Sequence, residues 1–295
     1  MTAGTERVRL RDGRALEVLL GGDPTGRPLV LHHGTPGHGT TFADWDGACA
    51  SRGLRLVAAA RPGYGASTRA PGRPVADAAA DTAAVLDHLG AGKFLTAGWS
   101  GGGPHALACA ALLPGRCLAA ASLAGVGAFG QSDLNFLAGM GRENVEEFGV
   151  ATQGEAALRD WMAANAEPMR QSTAAELAEA FGGLVPQVDK DVLEQGYADV
   201  LHASMQRGLE PGFDGWVDDD LAFVQPWGFD LGSIGVPVRI WQGELDLMVP
   251  QAHAPWLASK IPGADSRVVP GHGHLSLVTV HRGEILDELA AAGPR

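Results

Sequence analysis

The chain has 295 residues and a formal net charge of −12, with 22 Lys plus Arg against 34 Asp plus Glu. That acidic balance argues against nucleic acid or an anionic membrane surface as a partner, because both reward clustered Lys and Arg. The 42 glycines and 18 prolines make the chain rich in turns, yet 45% hydrophobic content supports a packed core rather than a low-complexity coil.

Residues 1–7 contain no apolar h-region, and no run approaches ~18 uncharged apolar residues, so neither a signal peptide nor a membrane span is expected and a cytoplasmic protein is. Residues 7–11 alternate in polarity, Asp12-Gly13 marks a hairpin-type turn, and residues 15–20 continue as a second strand. Residues 28–32, 54–60, 93–98 and 117–124 are apolar runs bounded by Gly or Pro, with helical stretches at 40–52, 75–89 and 101–113. Strand and helix in alternation indicate βαβ units, and strands apolar on both sides indicate a parallel sheet covered on both faces. The rhythm breaks at about residue 129. Leu158, Trp161, Met162 and Asn165 share one helical face; Ala174, Leu177, Ala178 and Phe181 share another, as do Leu193, Tyr197, Val200, Leu201, Ser204 and Met205. Residues 129–230 therefore read as a helical insertion between two parts of one core, 1–128 and 231–295. The core resumes with a strand at 237–242, a helix near 251–260, a strand at 266–269 and a closing helix from 276. Asp218, Asp219 and Asp220 form the one acidic run, read as a solvated loop or helix N-terminus. Cys49, Cys109 and Cys117 are too few and dispersed for a disulfide framework or zinc cluster, and read as buried small hydrophobes.

The most specific signal is Gly98-Trp99-Ser100-Gly101-Gly102, a G-x-S-x-G that follows an apolar strand and opens a helix. A sharp strand-to-helix turn projects the serine above the sheet and demands small residues two before and two after it. The helix that follows aims its first N–H groups at developing negative charge, and Gly101 supplies one of them. Serine needs a base and a group to orient that base. His274 lies just after the last apolar strand, with His272 as the alternative base; Asp246 follows the strand at 237–242, with Glu244 as the alternative acid. The second oxyanion donor is expected from Thr35, after Gly34 turns the backbone. His33 is read as a structural residue of that loop and His32 as packed under the sheet. His32, His33 and His38 fit no standard metal-ligand spacing, so no metal and no cofactor is expected.

With these motifs in place the chain resembles the α/β-hydrolase superfamily, in its capped serine-hydrolase branch, over essentially its whole length. The resemblance rests on the H-G-x-P-G loop at residues 33–37, the R-P-G-Y-G-x-S stretch at 61–67, the elbow at Ser100, the acid Asp246 and the G-H-x-S histidine His274. It implies an α/β fold with a mostly parallel eight-stranded sheet, helices on both faces, and a helical cap (129–230) inserted after strand 6.

A serine at the elbow points to acyl transfer, whereas similar capped enzymes that open epoxides or displace halide carry an aspartate there. The elbow also departs from the G-G-S-W-G of proline iminopeptidases. Glu143, Glu146 and Glu147 read as solvated helix faces, so no acidic pair is committed to a substrate amine. An ester or lactone of a small apolar substrate is therefore expected, with Trp99, Phe136, Met140, Trp161 and Trp216 as pocket walls, and Met162, Phe223 and Trp227 as further candidates. Amide, aminopeptidase, C–C bond or perhydrolytic chemistry on the same residues is the alternative, and a non-catalytic ligand sensor the alternative of another class. The expected partner is a small-molecule substrate, and homodimerisation stays open.

Overall fold

A computed structural model describes residues 3–292; Met1 and Thr2 of the polar N-terminal stretch lie outside the described residues. Eight strands form one sheet: β1 (Gly4–Arg9), β2 (Ala15–Gly22), β3 (Arg27–His32), β4 (Leu54–Ala59), β5 (Phe94–Trp99), β6 (Cys117–Leu123), β7 (Val238–Gly243) and β8 (Asp265–Val269). Their spatial order is β1-β2-β4-β3-β5-β6-β7-β8. β1 and β2 pair as an antiparallel hairpin and β2 pairs antiparallel with β4, while every later pairing is parallel.

The sequence pattern of each central strand follows from its position. All six residues of β5 are buried, because the strand is covered on both faces. Leu95, Ala97 and Trp99 join one apolar core while Phe94 joins the other; in β3, Leu29 and Leu31 face the first and Val30 the second. This period-two division sends one continuous apolar run into two separate cores. One core is closed by α1 (Asp46–Ala50) with the turn before it, and by α11 (His274–Val280) and α12 (Arg282–Ala291); the other by α2 (Asp77–His88), α3 (Gly102–Leu112) and α10 (His253–Lys260).

Six helices lie between β6 and β7: α4 (Arg142–Ala151), α5 (Glu155–Gln171), α6 (Ala174–Ala180), α7 (Gln187–Val192), α8 (Ala198–Gly208) and α9 (Asp214–Phe223). A third apolar cluster joins them to the core, with Leu158, Met162, Trp216 and Val217 packed around Ala60 and Tyr64 in the loop after β4. Among the described residues, no helix is long and apolar enough to cross a membrane.

Three segments differ from expectation. The stretch at 40–52 is not one helix but a tight 3-10 segment, Gly39–Trp45, followed by the short α1. There His38 accepts from the Thr40 N–H, and a Cβ on Gly39 would sit 2.4 Å from the Ala58 carbonyl, so the backbone is held against β4 too closely for an ordinary helix. The apolar stripe from Leu193 to Met205 is split by Gly196, whose φ of 103° ends α7's run before α8 begins. The closing helix begins at His274 and breaks at His281 into α11 and α12.

Candidate active site

The strand order reverses between β3 and β5. From β3 the chain moves one way to β4, and from β5 the other way to β6, leaving a crevice at their carboxyl ends. His32 is in register with Gly98, so the loops after the two strands leave the sheet side by side.

Ser100 sits in the left-handed region, φ 56°, a conformation that costs a non-glycine residue roughly 1–2 kcal/mol. Its N–H donates to the Leu123 carbonyl at 2.8 Å, and its carbonyl accepts from Gly103 N–H at 2.9 Å as α3 starts. The small flanking residues are a steric necessity. A Cβ on Gly98 would lie 1.9 Å from the Gly102 carbonyl oxygen, and one on Gly102 would lie 2.0 Å from that of His32.

His274 opens α11, and its Nδ1 lies 2.8 Å from Asp246 Oδ2 with both side chains buried. Asp246 is held in turn: Oδ1 accepts from the Met248 and Val249 N–H groups at 2.9 and 2.8 Å, and Oδ2 from Gln242 Nε2 at 2.9 Å. A carboxylate only accepts, so the ring donates from Nδ1 and Nε2 is its acceptor. Burial favours the neutral ring, but the charge and hydrogen bond of Asp246 prevail and hold the His274 pKa above that of ordinary histidine. Trp99 braces the same residue, its Nε1 donating to the His274 carbonyl at 3.4 Å and its ring centred 5.3 Å from the imidazole.

The alternatives separate clearly. His272 packs edge-on against His281 at 4.8 Å, and Glu244 is exposed and accepts from Gly271 N–H at 3.0 Å. Neither touches Ser100, Asp246 or His274 in a hydrogen bond.

The loop after β3 carries a buried charge network that the sequence reading missed. His33 Nε2 accepts from Arg61 N–H at 3.0 Å and Nδ1 donates to the Gly34 carbonyl at 2.7 Å; burial, then Arg61, pushes its pKa far down, so it is a neutral brace. The Arg61 guanidinium donates to the His33 carbonyl, to the Gly34 carbonyl at 2.9 Å and to Thr35 Oγ1 at 2.8 Å. It also meets Asp219 at 2.6 Å, as does Arg73 at 2.6 Å, while Tyr64 and Thr35 hydroxyls donate to the same carboxylate at 2.9 and 2.7 Å. Burial alone would push the Asp219 carboxyl up, but Arg61 and Arg73 hold it well below the usual range.

The acidic run is thus neither a loop nor solvated. All three aspartates are buried in α9, and successive side chains ~100° apart take three directions: Asp218 to Arg69 at 2.8 Å, Asp219 to Arg61 and Arg73, Asp220 into the central cavity. Asp189 of α7 was also missed. It is fully buried and accepts from Leu275 and Ser276 N–H at 3.1 and 2.8 Å, capping the helix that begins with His274.

Some of these residues open onto one cavity of about 260 Å³. Thr35, Trp99, Ser100, Gly101, Trp161, Trp216 and His274 all line it. Thr35 and Gly101 adjoin, since a Cβ on Gly101 would come 2.4 Å from Thr35 Oγ1. Phe136 and Met140 do not reach it. Phe136 is locked in an edge-to-face cluster with Phe129, Phe148 and His253 at 5.0–5.2 Å, and Met140 is buried in the same core. Met162 and Trp227 are likewise core residues, whereas Phe223 lines the cavity. Glu143 and Glu146 are exposed as expected, but Glu147 turns inward and accepts from Trp216 Nε1 at 2.6 Å.

His32 packs under the sheet beside Cys109 and His105, its pKa lowered by burial to about 3. Among the described residues, no group of three or more His, Cys, Asp or Glu is arranged to hold a metal ion. Cys49, Cys109 and Cys117 are free and buried, each thiol pushed up by burial to about 12.

Comparison with known proteins agrees with this architecture. A non-heme haloperoxidase from Rhodococcus erythropolis is 27% identical over 256 residues, covering 85% of this chain and 86% of that one. The structure of a thermophilic esterase from Thermogutta terrifontis superposes with a TM-score of 0.70 at 20% identity, covering 99% of this chain and 100% of the other. A hydrolase from Pseudomonas aeruginosa gives 0.71 at 18%, covering 98% of each. The alpha/beta hydrolase fold family matches residues 27–279, and the chain belongs to it.

Proposed function

We propose that the protein is a serine hydrolase that cleaves a carboxylic ester or lactone of a small substrate through an acyl-enzyme intermediate. The observation that carries this reading is the buried 2.8 Å bond between His274 Nδ1 and Asp246, opening onto the same cavity as Ser100 in its strained turn.

In this scheme Ser100 Oγ attacks the ester carbonyl carbon as its proton passes to His274 Nε2. Asp246 keeps the imidazole in one tautomer and stabilises the imidazolium. The N–H groups of Thr35 and Gly101 receive the tetrahedral oxyanion, a type of contact worth ~10²–10³ in rate per donor. Collapse expels the alcohol, which takes the proton from His274. Water, deprotonated by the same nitrogen, then attacks the acyl-enzyme and releases the acid and free Ser100. Residues 129–230 act as the cap, and Trp161, Trp216 and Phe223 as walls of the substrate pocket, while Trp99 also holds His274.

Treatment with a fluorophosphonate, followed by peptide mapping, is expected to place one adduct on Ser100, and Ser100→Ala is expected to abolish turnover of short p-nitrophenyl esters. No adduct would overturn the reading. The relative named as a haloperoxidase motivates one added arm: hydrogen peroxide in place of water at the acyl-enzyme, read as peracid formation.

A further inference from the structure

The cavity wall carries four carboxyl side chains, Glu143, Glu146, Glu147 and Asp220, and neither lysine nor arginine. Two of them turn inward, Asp220 fully buried and Glu147 half-buried. Asp220 is 1% exposed and leaves its Oδ2 without a hydrogen-bond partner, although it lines the cavity. Its neighbours on α9 make this an exception, because Asp218 and Asp219 each meet a guanidinium. Glu147 comes from α4, shares a side-chain hydrogen bond with Asp220 and is fixed by the Trp216 indole, which donates to it at 2.6 Å. Burial drives both carboxyls upward, and for Asp220 the neighbouring Glu147 drives it further. The two carboxyls hydrogen-bond each other through one shared proton, so both ionise only when a positive charge enters the cavity.

We propose that Glu147 and Asp220, with the rings of Trp161 and Trp216, form a subsite for a positively charged nitrogen of the substrate, an alkylammonium or quaternary ammonium group. An ammonium there lets both carboxylates ionise, and the perpendicular Trp161 and Trp216 rings, 6.4 Å apart, give its alkyl groups an aromatic wall. The helix geometry gives the spacing. Phe223 stands one turn beyond Asp220 on α9, and its ring tip lies 3.0 Å from where a Cβ on Gly101 would be. A cation at Asp220 is therefore a short chain away from the carbonyl attacked by Ser100.

The inference rests on the hydrolase reading for treating the bound cation as part of a substrate, so its test is made on binding alone. Titration of the Ser100→Ala protein with n-butylammonium and with 1-butanol, followed by calorimetry, is expected to show at least ~10-fold tighter binding of the cation. Glu147→Gln and Asp220→Asn are each expected to reduce that ratio; Glu147, half-buried, is the substitution that spares the core should Asp220→Asn fail to fold. In the parent enzyme, kcat/KM for butyrylcholine is expected to exceed that for its uncharged counterpart, 3,3-dimethylbutyl butyrate. Equal affinities for the ammonium and the alcohol overturn the subsite, as does a preference that survives Glu147→Gln undiminished. A Ser100 adduct without ammonium preference sinks the subsite alone; ammonium preference without an adduct sinks the hydrolase reading alone.

Discussion

Asp246 receives four hydrogen bonds in all, three of them from the segment that carries it. A rate that needs neutral His274 rises with pH through the pKa of that residue. Because Asp246 holds it above the ordinary value of ~6.5, the acid limb of kcat/KM is expected above that point. Asp246→Asn removes the charge and offers the ring a donor, favouring the wrong tautomer. The expected result is a ~10³–10⁴-fold loss in kcat/KM and an acid limb displaced to lower pH, measured with a short p-nitrophenyl ester. His272→Ala, remote from these contacts, is expected to keep parental activity; loss there with retention in His274→Ala would reverse the assignment. The positions of Ser100, Asp246 and His274 in the fold were legible because each stands in a short motif beside a strand end. Asp219 and Asp189 were not. Their partners lie 158 and 87 residues away, and an aspartate's neighbours along the chain carry no trace of a guanidinium or helix end that folding delivers.

Helix α11 illustrates what one side chain contributes to an element. It starts at His274 with its first N–H groups buried, and Asp189 supplies acceptors for two of them. A Cβ on Gly273 would lie 2.4 Å from the Asp189 carboxylate, so the contact is close as well as polar. Asp189→Ala is expected to lower the stability measured by urea unfolding by ~1–3 kcal/mol, the cost of leaving buried donors unmet. It is also expected to reduce kcat, because the helix whose first residue is His274 loses its anchor. The strands and most helices of the core were legible from periodicity alone. The segment at 39–50 and the kink at Gly196 were not, because close packing on β4 and a single positive φ override an apolar spacing that favours a continuous helix.

Across the whole molecule, five buried histidines set the response to acid. Burial lowers His32 to about 3 and His253 to about 4, pushes His33 and His105 well down, and lowers His38. Their folded pKa values lie below the unfolded ~6.5, so the stability they contribute is complete above that pH and is lost as pH falls toward the folded values. His274, Glu147 and Asp220 are shifted upward and act in the opposite sense, stabilising as pH falls and partly offsetting the loss. With five histidines acting in the first sense, the urea midpoint is expected to fall between pH 6.5 and 4.5. A midpoint constant over that window would contradict this account.

The salt-bridged carboxylate at Asp219 has a consequence for how such a protein can be inherited. The segment between β6 and β7 looks like an exchangeable part, since its two ends join neighbouring strands of the sheet. Yet it donates the one buried anion that neutralises Arg61 and Arg73, and the carboxylate that caps the His274 helix. A replacement lacking acids at those two points strands two guanidinium groups behind the loop that carries Thr35, at a cost of roughly 3–5 kcal/mol for the first alone. Substrate choice can drift through the side chains that line the cavity. The two anchoring aspartates and the arginines they meet must pass together from ancestor to descendant.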